Sequence, residues 1–178
     1  MTAVVIAIAI LAVVPLIFIW PHVGIMAWTW IGLMNPHRWA WGALEVLGYA
    51  QIIGMVTLIA WVLSREPKRV PLTAVTAMMG LFLLWVTFTT VLAHLPERAW
   101  GSWEQAFKII LMAFATMALI TTRERLHALI WVLVLSLGYY GFKGGVFTVL
   151  TGGEYRVWGP EKSFIASNNQ LALALIMV

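Results

Sequence analysis

"PLTAVTAMMGLFLLWVTFTTVLA", residues 71–93, is an uninterrupted apolar stretch that decides the fold of this chain. It contains no charged residue, and as a helix it would extend about 35 Å at about 1.5 Å per residue. A membrane hydrocarbon core of about 30 Å is crossed by about 20 apolar residues in a helix. The stretch therefore predicts a membrane-spanning helix.

Similar apolar runs recur along the rest of the chain. They lie at residues 3–20, 46–63, 107–122 and 126–150, and a further run begins at 168–178. A shorter run, 22–34, either completes its span through "NPHRWAW" (35–41) or forms one arm of a re-entrant hairpin. The fold class predicted is all-α, a polytopic transmembrane helix bundle of about six to seven membrane segments with short loops. Residues 1–178 are expected to form a single transmembrane domain.

The composition agrees with a membrane protein. Hydrophobic residues make up 62% of the chain and charged residues only 10%, against about 45–50% and about 25% in soluble domains. The chain has no cysteine, which excludes disulfides and thiolate metal sites. Its net charge of +4 is scattered through short loops, so the expected partner is membrane lipid and not nucleic acid.

The basic residues predict an orientation. The loops 64–70 and 121–126 contain five of the eleven Lys and Arg residues, and short loops rich in these residues face the cytoplasm. Segments around 35–45, 94–106 and 151–167 would then be loops that face outward.

The eleven tryptophans are unusually numerous. Either they form an interfacial aromatic belt, or they form a platform on which sugar rings or a polyprenyl chain stack. The outer segments contain Trp39, Trp41, Trp100, Trp103 and Trp158, and Trp20, Trp28 and Trp30 would join them if the first two runs form a hairpin.

Glycines recur at every third residue of the 126–150 run, at 138, 141 and 144, and Gly145 adjoins them. A helix face without side chains permits close approach by a neighbouring helix. This face is therefore expected to be buried in the bundle.

Lys143 interrupts the same run and has two open interpretations. An ionisable residue inside a span is costly unless it is paired, hydrated or reaches the interface. Lys143 either extends to the near interface, or it meets an anionic group in an outward-open cavity together with Tyr139 and Tyr140.

The polar segment "EYRVWGP", residues 154–160, follows this run. Glycines and a proline around it predict a constrained turn that holds Arg156 and Trp158 at the membrane surface. Arg156 is either solvated or a phosphate ligand, since its planar guanidinium suits bidentate phosphate binding. Asn168 and Asn169, which open the last apolar run, either cap its helix or hydrogen-bond a headgroup or sugar.

The four histidines match no metal motif by their spacing. They are His22, His37, His94 and His127. No metal, cofactor or catalytic residue is predicted from the residues alone.

Two stretches carry a family resemblance: "GIMAWTWIGLMNPHRWAWG", residues 24–42, and "YYGFKGGVFTVLTGGEYRVWGPEKSFIASNNQLALALIMV", residues 139–178. Together they resemble the amino-terminal part of the bacterial O-antigen ligase-like superfamily, closest to the exosortase-associated putative O-glycosylation ligases. The resemblance implies a multi-pass protein of the inner membrane that transfers glycan from a polyprenyl-diphosphate carrier to an acceptor on the periplasmic side, without metal or nucleotide.

The resemblance also implies roles for particular residues. Arg156 matches a family position thought to engage the carrier diphosphate, and Lys143 would be a second cation. The family's periplasmic loop with its catalytic histidine would follow Val178, so the chain is expected to be the amino-terminal part of a longer fold. The alternative is a non-catalytic membrane subunit that packs against a larger complex through its Trp-rich rim and its glycine face.

Overall fold

The computed structural model describes residues 2–35, 48–66, 68–160, 163 and 165–178. Within these ranges the protein forms seven helices and no strand, which confirms the all-α prediction. The helices are α1 (Thr2–Ile19), α2 (Pro21–Met34), α3 (Tyr49–Leu63), α4 (Ala74–Val91), α5 (Pro96–Leu119), α6 (Arg123–Leu150) and α7 (Asn168–Ile176). The predictions for Trp39, Trp41 and His37 lie outside the described residues.

A single residue, Trp20, separates α1 from α2. Its backbone (φ −132°, ψ 88°) is not helical, and Pro21 opens α2. Proline suits a first helical position because its missing N–H would have no partner there. At the other end, Asn35 adopts the left-handed conformation and its N–H donates to the Ile31 carbonyl. The 22–34 run is thus a 14-residue helix, and its suggested completion beyond Asn35 lies outside the described residues.

Helix α2 is the centre of the molecule and packs against α1, α3, α5 and α6. It approaches α3 closely, because a Cβ on Gly24 would overlap the side chain of Thr57. Ile17 of α1, Ile31 of α2 and Ile53 of α3 belong to one buried cluster. Small residues at the contact and branched apolar residues around it therefore hold the first three helices together.

The segment 94–106, predicted as an outer loop, is mostly helical. Helix α5 begins at Pro96, with Glu97 in its first turn, a favourable place for a carboxylate near the positive end of the helix dipole. Trp103 faces α4, where its Nε1 donates to Thr87 Oγ1 at 2.9 Å. The loop prediction was wrong because polar residues on the outer face of an amphipathic helix resemble a loop when only their composition is considered.

The connection from α6 to α7 is a folded segment rather than a simple turn. Gly152 and Gly153 have positive φ angles of 64° and 80°, which glycine adopts without strain. Farther along, Ile165 is buried with Leu137 and Leu171 in a cluster that joins the segment to α6 and α7. The connection is therefore constrained, as the sequence predicted.

Two of the described helices, α4 and α6, are long and apolar enough to cross a membrane. Helix α4 packs mainly on α5, and most of its large apolar side chains are exposed. Such a surface is costly in water and favourable in hydrocarbon.

Candidate functional site

A cavity of about 300 Å³ lies between the second half of α6, the segment after it, and α7. Its walls combine apolar side chains, glycines and a few polar groups. The residues that line it are Tyr140, Gly141, Gly144, Gly145, Thr148, Arg156, Val157, Asn168, Leu171, Ala172 and Leu175. The cavity is therefore amphipathic, with a largely apolar surface and a cation at its edge.

One face of α6 forms the floor of this cavity. Gly141, Gly144, Gly145 and Thr148 follow the spacing of residues on one side of a helix. A Cβ on Gly141 would lie 2.9 Å from Leu175 of α7, and a Cβ on Gly144 would lie 2.7 Å from Val157. These two glycines meet close neighbours, as predicted for the glycine face.

The rest of that face differs from the prediction. Gly138 and Gly145 are exposed, and a Cβ on either would meet nothing within 4 Å. The glycine face is thus buried only where α7 and the 151–167 segment cover it.

Tyr140 joins the cavity to the centre of the molecule. Its buried hydroxyl donates to the Met34 carbonyl at 2.8 Å, which ties α6 to the carboxyl end of α2. Because this hydrogen bond uses the hydroxyl proton, the Tyr140 oxygen can only accept a hydrogen bond from a ligand. Thr148 likewise donates its hydroxyl proton, to the Gly144 carbonyl at 2.9 Å.

Arg156 and Asn168 are the lining residues whose side chains carry N–H donors. Arg156 is exposed and follows the positive-φ turn at Gly152 and Gly153, and the next residue, Val157, rests on α6 at Gly144. Asn168 is the first residue of α7. The positive end of the α7 dipole therefore adds to the Arg156 charge at the cavity edge.

Asn168 and Asn169 do not cap α7, so one of the two interpretations of this pair was wrong. Ser167 is the N-cap, and its hydroxyl accepts from the Gln170 N–H at 3.2 Å while the Gln170 side chain accepts from the Ser167 N–H. This reciprocal arrangement leaves the Asn168 side chain available to the cavity and Asn169 exposed.

The remaining residues predicted for the site do not line this cavity. Lys143 is exposed and does not line the cavity. Tyr139 packs edge-on against Tyr140 but is itself exposed. Trp158 is exposed, as is Asn169. Tyr140, Arg156 and Asn168 therefore line one cavity, and the lining does not include Lys143, Tyr139, Trp158 or Asn169.

A second cluster of polar residues lies at the other end of α6. Arg125 donates Nη1 to Glu66 Oε2 at 3.1 Å and Nη2 to Glu66 Oε1 at 2.6 Å, and Nη1 also donates to the Leu119 carbonyl at 2.9 Å. The hydrogen bond from Arg125 lowers the pKa of Glu66 from its ordinary value of 4.5, and the Arg125 charge adds to this effect. Two loops predicted to share a membrane face are thus joined by an ion pair.

The ion pair was not anticipated from the sequence. Its signal was a single carboxylate, Glu66, between basic residues of an otherwise positive loop. His22 of α2 is close enough to interact electrostatically with both Arg125 and Glu66. Trp20, two residues before His22, therefore lies near this ion pair, and Trp28 packs against the buried cluster that contains Ile25 and Met112.

The described residues contain no group of three or more His, Cys, Asp or Glu side chains that could hold a metal ion.

Fold and site together define an all-helical protein with two helices able to span a membrane and an amphipathic cavity edged by Arg156. Over residues 1–174 the chain matches the family of unknown function DUF5935, and it belongs to that family. No curated protein and no solved structure matches the chain.

Proposed function

We propose that the chain is a multi-pass protein of the bacterial inner membrane, with about six to seven membrane segments. The exposed apolar surface of α4 supports this placement, because hydrocarbon is the favourable environment for such a surface. Because short loops rich in Lys and Arg face the cytoplasm, the proposed orientation puts the Glu66–Arg125 end on the cytoplasmic side. The 151–167 segment and the first turns of α5 are periplasmic.

The length of α6 agrees with a membrane crossing between the two ends. Gly144 lies 19 residues after Arg125, or about 28 Å along the helix at about 1.5 Å per residue. This distance is close to the thickness of a hydrocarbon core. The cavity and the ion pair therefore fit opposite surfaces of one membrane.

We further propose that the cavity binds the phosphate end of a polyprenyl-diphosphate-linked glycan, as in an O-antigen ligase-like protein. The observation that carries the proposal is that Arg156 and Asn168 both line a largely apolar cavity. Arg156 supplies a permanent charge with a planar set of donors for phosphate oxygens, and Asn168 supplies an amide donor. Leu171, Leu175 and the glycine floor supply the apolar surface that a lipid chain needs.

The reaction proposed is glycan transfer to an acceptor hydroxyl. The acceptor oxygen forms a bond to the anomeric carbon of the glycan as the bond from that carbon to the phosphate oxygen breaks, and the diphosphate leaves with the electron pair. Arg156 would stabilise the charge that develops on the departing diphosphate. The acceptor proton needs a base, and no residue of this chain is assigned that role.

A direct test measures binding of polyprenyl diphosphate to the full-length protein. A charge-assisted hydrogen bond contributes about 1.5–3 kcal/mol, so Arg156→Ala should weaken binding by roughly ten-fold to a hundred-fold. The affinity of Arg156→Lys should fall between those of Arg156→Ala and the wild type, because lysine keeps the positive charge but lacks the planar set of donors.

Lys143→Met is the matched control, since it also removes one positive charge from the same region. Because Lys143 is exposed and does not line the cavity, its replacement should leave the affinity within about two-fold. Unchanged affinity in Arg156→Ala, or an equal loss in both variants, would contradict the proposed site.

The alternative function is that of a non-catalytic subunit of a larger membrane complex. The open space beside Gly138 and Gly145 favours it, because exposed small residues on a membrane helix leave room for another helix. This alternative predicts that Arg156→Ala leaves ligand affinity unchanged, so the same experiment distinguishes the two functions.

A further inference from the structure

The Glu66–Arg125 ion pair gathers the basic residues of two loops into one surface. Glu66 and Arg125 are 59 residues apart in sequence, and their side chains are mostly buried, with 22% and 20% exposed. The bidentate geometry fixes the α3–α4 loop against the first turn of α6. The charges of these two residues compensate each other, so they add nothing to the net charge of the surface.

Four further cations surround this pair, and all four are exposed: Arg65, Lys68, Arg69 and Arg123. Arg69 is three residues from Glu66, which keeps its Cα within about 11 Å of that residue at about 3.8 Å per residue. Arg123 is two residues from Arg125. One exposed carboxylate, Glu124, lies among them. The surface is therefore strongly positive.

Exposed leucines border these cations. Leu63 ends α3, Leu126 lies in the first turn of α6, and Leu72, three residues after Arg69, is 97% exposed. A fully exposed leucine beside cations is unfavourable in water. The same arrangement is favourable at a membrane surface, where leucine enters the acyl region and cations meet headgroups.

We infer that this end of the protein binds the headgroups of anionic phospholipids. The cations offer electrostatic attraction to the phosphates, and the leucines anchor the surface at the depth where those phosphates lie. A free phosphate would use the cations but gain nothing from the leucines. The ion pair prearranges the surface by holding both loops in place before lipid arrives.

The test uses full-length protein in a neutral detergent, with Tm followed by tryptophan fluorescence. Phosphatidylglycerol should raise Tm at a concentration at least about thirty-fold lower than phosphatidylcholine does, since two or more cations at about five-fold each separate the two lipids. Each cation near an anionic surface contributes about five-fold in affinity. The double variant Lys68→Gln/Arg69→Gln should therefore need a roughly ten-fold to thirty-fold higher phosphatidylglycerol concentration for the same rise in Tm.

Arg98→Gln/Lys108→Gln is the matched control, because it removes two exposed cations from α5 instead. It should change the concentration needed by less than about two-fold. If Lys68→Gln/Arg69→Gln does not fold, Arg65→Gln/Arg123→Gln tests the same surface with the same expected result.

The inference rests on the proposed membrane placement, which cysteine labelling from the two sides of the membrane tests independently. No stabilisation by either lipid would overturn the anionic-lipid site, because a membrane protein in detergent can be folded without binding lipid. Equal stabilisation by both lipids, or an equal effect of the control variant, would leave that placement intact and overturn the anionic-lipid site. Protection by inorganic phosphate at the same concentration as phosphatidylglycerol would show a free-anion site and would also overturn it.

Discussion

Individual glycines fix the most closely packed points of this protein. A Cβ on Gly159 would overlap the carbonyl oxygen of Ile165 and would lie 2.8 Å from its carbonyl carbon. This contact is between two parts of the backbone, so a rotamer change cannot relieve it. Gly159 also donates its N–H to the Ala166 carbonyl at 3.0 Å. The residue therefore joins the middle of the 151–167 segment, three residues after Arg156, to its end beside α7.

Gly159→Ala should consequently destabilise the protein by about 1–3 kcal/mol, the usual cost of overpacking. Gly101→Ala is the matched control, because a Cβ there meets nothing within 4 Å and Gly101 lies inside helix α5. That change should stabilise by about 0.5–1 kcal/mol, since alanine favours a helix over glycine. The measurement is Tm in detergent, and equal values for the two variants would refute the close contact.

At this scale the sequence predicted part of the candidate site. The guanidinium and the family resemblance predict Arg156, the place beside Lys143 predicts Tyr140, and the start of the last apolar run predicts Asn168; all three line one cavity. Lys143 is predicted as a second cation of the same site, but it is exposed and does not line the cavity. Its position depends on the rotation of the helix relative to α7, which the contacts of Leu175 and Val157 determine.

Among the elements, the loops at the basic end depend on one ion pair. Glu66 has a pKa below 4.5 in the folded protein because Arg125 donates hydrogen bonds to it. A carboxyl group with a lowered folded-state pKa stabilises the fold above its unfolded-state pKa, and this contribution is lost as pH falls through the folded-state pKa.

Above about pH 5, the wild type should therefore have a higher Tm than Glu66→Gln, and the difference should shrink as pH falls below 4.5. Glu104→Gln is a suitable control, because the Glu104–Lys108 pair is exposed and exposed pairs contribute little. A difference between wild type and Glu66→Gln that stays constant from pH 7 to pH 4 would contradict the role of the ion pair.

The helices themselves were predicted with uneven success. The 46–63 and 71–93 runs correspond to α3 and α4 because each is a continuous apolar segment. The first eleven residues of α5 were missed because they include charged residues. Only contact with α4, through the hydrogen bond from Trp103 to Thr87, shows that one side of this segment is a packing surface.

For the whole molecule, the arrangement of the two ends makes the orientation testable. Lys68 and Ser102 are both exposed and lie toward opposite ends of α4 and its partner α5. The chain has no native cysteine, so each single cysteine variant reports one position.

In intact cells, Ser102→Cys should react with a membrane-impermeant maleimide and Lys68→Cys should not. After permeabilisation both should react, which controls for local accessibility. Labelling of Lys68→Cys but not Ser102→Cys in intact cells would invert the proposed orientation, and labelling of both would contradict a membrane between them.

The central position of α2 has a consequence for biosynthesis. Helix α2 is made early, yet one of its neighbours is α6, and the hydrogen bond from Tyr140 to Met34 joins residues 106 apart. During translation, α2 must therefore wait for more than half of the chain before its last contacts can form. Such non-local contacts slow folding because the intervening chain must first be ordered. The ribosome thus synthesises the central helix α2 well before α6, and α2 stays incompletely packed in the nascent chain until α6 has been made.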